Sequence, residues 1–179
     1  NGSAMTLLLQ NTPDAFAEMR VYYLANPDTG TYTFTAGFSG AAHQSSYLLF
    51  TLQDCAQSSP TDGTGETGSA AGGTSLSMTI SPSPAADSLS IAWSVAQGTT
   101  IDPTGFTHGT GQTELQATFI NDTAWNRGYN MASYEIAETT MTESWTSDSN
   151  YEGIAFGIKY LAPSAAVVIP IKQEMLIFE

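Results

Sequence analysis

Basic residues are scarce in this chain. Four Lys or Arg stand against seventeen Asp or Glu in 179 residues, a formal charge of −13, so the surface repels phosphate backbones and anionic lipid. Nucleic-acid binding is excluded as a function class. Cysteine is nearly absent too: Cys55 is alone, which rules out an internal disulfide, leaves the redox compartment open and reads as a small buried side chain. No run of about 18 apolar residues occurs, so no membrane insertion is expected, and no cationic stretch followed by an apolar one opens the chain. Charged residues make up only 12%, and Ser, Thr and Gly carry most of the polarity. That mixture suits secreted or surface-displayed β proteins.

Catalytic motifs are also missing. His43 and His108 sit in loops rich in small residues, with no H-x-x-x-H or C-x-x-C spacing to make a zinc site. Both read as surface histidines. Serines abound, yet there is no G-x-S-x-G elbow, and Glu135 and Glu138 are three apart, which puts them on opposite faces of a strand. The chain reads as a non-enzyme with no metal site. Asp54 with Asp62 and Glu66, and Asp102 with Asp122, are the best loops for calcium, but neither has the D-x-D-x-D-G pattern. No cofactor is expected, calcium being the one candidate. Glu143, Asp148 and Glu152 around Trp145 and Tyr151 read as solvated loop acids.

What is present is strand patterning. Tyr32, Phe34, Ala36 and Phe38 alternate with Thr31, Thr33, Thr35 and Gly37, the signature of a strand with one buried face. Asn26-Pro27-Asp28-Thr29-Gly30 supplies turn chemistry before it, and Val21 and Tyr23 supply the facing strand of an expected hairpin. Ala4–Gln10, Ser46–Gln53, Ser75–Ile80, Ser88–Ala96, Thr113–Ile120, Met131–Thr140 and Ile154–Tyr160 add further strands. The stretches 56–74 and 98–112 read as long surface loops, and Met141–Tyr151 as polar around Trp145. The expected fold is all-β, a two-sheet antiparallel β-sandwich, jelly-roll-like, of about eight to nine strands, with a C-terminal extension strand. Residues 1–163 form the sandwich domain. Residues 164–179 form a β-prone tail, in which Val167, Ile169 and Ile171 alternate around Val168 and Pro170. Unpaired, such a tail is an aggregation hazard, so it is expected to pair as a strand.

Asn1-Gly2-Ser3-Ala4-Met5-Thr6, Tyr22-Tyr23-Leu24-Ala25-Asn26-Pro27 with Gly30-Thr31-Tyr32-Thr33-Phe34-Thr35, the Gln53-Asp54 and Ser59-Pro60 region, and Ala155–Pro163 carry a resemblance. They resemble a β-sandwich module of large bacterial surface proteins and phage virion or tail-fibre proteins. The resemblance implies a fold more than a function. It also implies strands ahead of the Asn1–Thr6 element and an end near Pro163, so that a tail beyond that point can be donated between subunits.

The function expected from these readings is structural and adhesive: an extracellular, cell-surface or virion subunit that forms a homo-oligomer or polymer through sheet edges and its tail. Val167, Ile169, Ile171, Leu176 and Phe178 are the expected assembly interface. Burying five such side chains contributes on the order of 8 to 12 kcal/mol before ordering costs. The alternative is a carbohydrate-binding module, with or without calcium, in which Trp125, Trp145, Tyr151 and Asp148 present a platform to a surface glycan.

Overall fold

Period-two alternation is plainest between Leu89 and Gly98. Leu89, Ile91, Trp93 and Val95 share one side of this strand, and Ser90, Ala92, Ser94 and Ala96 share the other. The computed structural model describes residues 4–11, 18–25, 27, 33–35, 47–69, 72–98, 104–122, 126–146, 149–160 and 169–170. Within them run β1 (Thr6–Asn11), β2 (Met19–Tyr23), β3 (Phe50–Thr51), β4 (Thr61–Ser69), β5 (Ser75–Thr79), β6 (Leu89–Gly98), β7 (Thr107–His108), β8 (Thr113–Asp122), β9 (Asn126–Ile136), β10 (Thr140–Ser144), β11 (Asn150–Ile158) and β12 (Ile169–Pro170). No helix occurs among the described residues, and so none long and apolar enough to cross a membrane.

The strands pair antiparallel throughout. A five-stranded sheet has the order β4-β11-β6-β9-β8, a three-stranded sheet the order β5-β10-β7, and β1-β2 and β12-β3 form separate pairs. This is an all-β sandwich. On one face of the large sheet, Ala92, Ala96, Ala155 and Met131 meet Leu76, Met78, Ile80, Met141 and Trp145 of the three-stranded layer in one apolar cluster. The small residues of β6 make room for these large partners. On the opposite face, Leu89, Ile91, Phe156, Ile158 and Cys55 form a second cluster, covered by Leu8, Val21, Phe50 and Leu52. Both faces of the large sheet are therefore dry, which explains why β11 is buried from Glu152 through Ile158. Asn11 ties β1 to this sheet: its side-chain amide donates to the carbonyls of Thr67 and Gly153, each at 3.2 Å.

Three expectations need correction. The stretch 56–74, expected to be a surface loop, contains β4, an edge strand of the large sheet paired with β11 from Ser69 to Thr61. Its glycines are the reason: a Cβ on Gly65 would lie 2.2 Å from the Thr79 carbonyl oxygen, so only glycine lets the edge strand run this close under β5. Composition without apolar residues was compatible with a strand whose role is backbone pairing. The second correction concerns the hairpin expected of β2 with Thr31–Phe38: the partner found for β2 among the described residues is β1. Of that expected arm, residues 33–35 are exposed and outside any strand, and residues 31, 32 and 36–38 lie outside the described residues. Phe34 is 41% exposed and meets Tyr47 edge to face at 5.4 Å. The third is β7, a two-residue strand inside the expected loop 98–112; it pairs with β10 through Glu143–His108 and Ser144–Thr107.

Candidate functional site

Strand β10 reads TMTES, and its alternation sends Met141 and Glu143 inward, followed by Trp145. Glu143 thus enters the layer between the sheets as a carboxylate whose side chain is 0% exposed. A carboxyl group at that depth must be matched by hydrogen bonds. The Ser133 hydroxyl, from β9, donates to one carboxylate oxygen at 2.7 Å, and His108 Nδ1 engages the other. Gln112 extends the chain of contacts: its amide donates to Ser133 Oγ at 2.7 Å, and its carbonyl oxygen accepts from the Thr142 backbone N–H at 2.9 Å. His108 Nε2 faces the 58% exposed Glu114, 3.3 Å away. The hydrogen bond to Glu143 holds the imidazole pKa above its ordinary value, against the opposing effect of burial, and the Glu143 and Glu114 charges add to the rise.

The order of contacts decides what the network can do. A hydroxyl nucleophile needs the imidazole as its base, with the carboxylate behind the imidazole. Here the carboxylate lies between Ser133 and His108, so the serine proton points at Glu143 rather than at the ring. The arrangement binds three strands together and places one titratable ring among them. Among the described residues no group of three His, Cys, Asp or Glu side chains is placed to hold a metal ion. Asp62, one of the calcium candidates, accepts from the Ala85 backbone N–H at 2.6 Å and from the Ser88 hydroxyl, and these bonds hold its carboxyl below the usual range.

Beside the network lies an open cleft of about 480 Å³. Residues of β5, β7 and β10 line it, together with Thr67 of β4 and Tyr151 of β11. Its chemistry follows from strand parity. Ser75 and Ser77 on β5, Thr142 and Ser144 on β10 and Thr107 on β7 occupy the positions that alternate with the buried ones, and the Thr107 and Ser144 hydroxyls bond each other at 2.6 Å.

Of the residues expected to form a glycan platform, Trp145 and Tyr151 are described, and their rings touch. Trp145 is 4% exposed, its indole N–H donates to the Gly73 carbonyl at 2.9 Å, and it belongs to the first apolar cluster. It is a core residue. Tyr151 packs edge to face on it at 5.6 Å and is half-buried at the cleft wall. Glu143 and Glu152 are buried strand residues rather than solvated loop acids, because Glu143 alternates with apolar neighbours on β10 and β11 is covered on both sides. His108 is 11% exposed rather than a surface histidine. Of the expected interface, Ile169 pairs with Thr51. Trp125, Asp148, Val167, Ile171, Leu176 and Phe178 lie outside the described residues, as do His43 and Asp102. Ser133, Gln112 and Glu114 were not singled out by sequence; the signal for Glu143 was the period-two run Met141-x-Glu143-x-Trp145. No protein-family model matches the chain, and neither a curated protein nor a solved structure matches it.

Proposed function

We propose that the chain is a non-enzymatic structural subunit of an extracellular, cell-surface or virion assembly, joined to its neighbours by strand addition. The observation that supports this reading most directly is the ladder of β12 with β3. Ile169 pairs with Thr51 and Pro170 with Phe50, so these two residues of the C-terminal segment form a strand against β3. Pro170 lacks a backbone donor and suits an outer strand. The site of pairing is apt for assembly, since Phe50 and Leu52 already pack on the second apolar cluster and an added strand extends that cover. The same two-residue register can be made by the tail of another copy, with identical hydrogen bonds and a different parent chain. Strand β8, ten residues long, ends the large sheet among the described residues and offers a second edge there.

Thr51→Cys with Ile169→Cys in a Cys55→Ser background tests the reading. Antiparallel partners are close enough to bridge. Exchange between copies gives disulfide-linked oligomers on mild oxidation, and light scattering of the parent chain gives a mass that falls to that of a monomer when residues 164–179 are removed. A wholly intramolecular disulfide in a monomer at every concentration refutes it. Since every copy carries −13, assembly strengthens with added salt.

A further inference from the structure

The three-stranded sheet has a face that the assembly reading does not use. Its inner side is apolar and carries the His108–Glu143 pair; its outer side is almost entirely hydroxyl. Register aligns these hydroxyls into cross-strand rungs: Thr79 with Thr140, Ser77 with Thr142, and Ser75 with Ser144 and then Thr107. Adjacent strands are about 4.8 Å apart and successive outward residues of one strand about 6.8 Å apart, so the hydroxyls form a grid. Five of them, Ser75, Ser77, Thr107, Thr142 and Ser144, line the cleft of about 480 Å³, and Tyr151 of the five-stranded sheet is also in its lining. That volume falls within the range of about 300 to 1,000 Å³ found for small-ligand sites.

We infer that this cleft is a binding site for a neutral polysaccharide. The lining decides the class. Hydroxyls that both donate and accept match the alternating donors and acceptors of a sugar ring, and Tyr151 adds an aromatic surface with a polar tip. No Lys or Arg lines the cleft, the lining residues His108 and Glu143 are bonded to each other, and the chain is strongly acidic. Anionic glycans are repelled, and cationic ones find no exposed carboxylate in the wall. The hydroxyls stand on rigid strands, and the Thr107–Ser144 bond holds one rung in place before any ligand arrives. The site differs from the platform expected around Trp145, whose indole is core.

Native affinity electrophoresis of the intact chain tests the inference, with gels containing neutral soluble polysaccharides (a β-glucan, a glucomannan, a galactan) or anionic alginate. The chain is retarded in at least one neutral gel and not in alginate. The variants Thr142→Val and Ser77→Ala, which keep strand shape on an outer face, weaken that retardation at least tenfold in apparent dissociation constant while leaving the thermal midpoint within a few degrees of the parent. Absence of retardation in all neutral gels, retardation in alginate alone, or retardation unchanged by both folded variants overturns it. Should one variant fail to fold, the other gives the result.

Discussion

Replacing Glu143 is the sharpest test of how the sandwich is held together. Its side chain is wholly buried and bonds Ser133 through one oxygen and His108 through the other. Glu143→Ala removes both acceptors and leaves the buried Ser133 hydroxyl and the imidazole facing a void. A hydrogen bond of neutral groups contributes about 1 kcal/mol and one to a charged group about 1.5–3 kcal/mol, and breaking a buried pair from one side costs about 3–5 kcal/mol. The expected loss is therefore about 3–5 kcal/mol, a large fraction of the stability of a domain. Glu143→Gln retains the shape and one acceptor, and costs about 1–3 kcal/mol. The pH dependence separates a charge effect from simple packing. The His108 pKa is raised in the folded protein, so its pairing stabilises fully below the unfolded value of about 6.5 and is lost as the pH rises through the higher folded value. The gap in stability between the parent and Glu143→Gln must therefore narrow as the pH is raised from just below 6.5 to alkaline values. Urea unfolding across that range measures it. A gap that is constant, or that widens with pH, shows that Glu143 does not act through a protonated His108.

Other consequences can be checked with single variants. Gly65→Ala drives a methyl against the Thr79 backbone, 2.2 Å from its oxygen, and should cost about 1–3 kcal/mol; Gly128→Ala, whose nearest neighbour is 3.7 Å away, is the control, and equal losses would contradict the close approach of β4 to β5. The Cys55 thiol is pushed up by burial and then by Asp54, so alkylation at mildly alkaline pH should be slow in the native protein and fast in guanidinium. Similar rates would place the thiol in solvent. Tyr160 is pushed up to about 12, first by burial and then by Cys55 and Tyr134; ultraviolet titration should show one tyrosine ionising last, and stability should fall as the pH climbs from about 10 through about 12. Its disappearance in Tyr160→Phe identifies the group, and persistence of the late step would reject the assignment.

The alternation of Leu89, Ile91, Trp93 and Val95 against small residues made β6 legible, and the SLSMT run did the same for β5; β10 was missed, because Met141–Tyr151 reads as a polar stretch around Trp145 although TMTES alternates. What composition hides is burial achieved by backbone alone. Strand β4 has no large apolar side chain, and it is held by pairing with β11 and by glycines that permit contact with β5. Parity also hides meaning when a polar residue occupies an inward position. Glu143 reads as a loop acid beside Asp148 and Glu152 until the strand is seen to place it between Met141 and Trp145. His108 depends on a partner 35 residues away, and no local pattern announces a two-residue strand. The pairing of β2 with β1 is hidden in a similar way: turn chemistry at residues 26–30 points β2 toward the residues that follow it and says nothing of the strand before.

The sheet order β4-β11-β6-β9-β8 has a consequence for how the protein is made. Strands β4 and β6 are separated in sequence only by β5, which belongs to the other sheet, yet they are not neighbours in the large sheet; β11, translated much later, must be inserted between them. Until it emerges from the ribosome, one side of β6 and one side of β4 have unpaired backbone, and the apolar residues beneath them await Ile154, Phe156 and Ile158. Synthesis therefore leaves a nascent half-sheet waiting with open edges while the residues between β6 and β11, Thr99 to Ser149, are translated. The final domain closes in a late step, when one strand joins two others, so a ribosome stalled before β11 would hold a product unable to fold and well suited to capture by a chaperone.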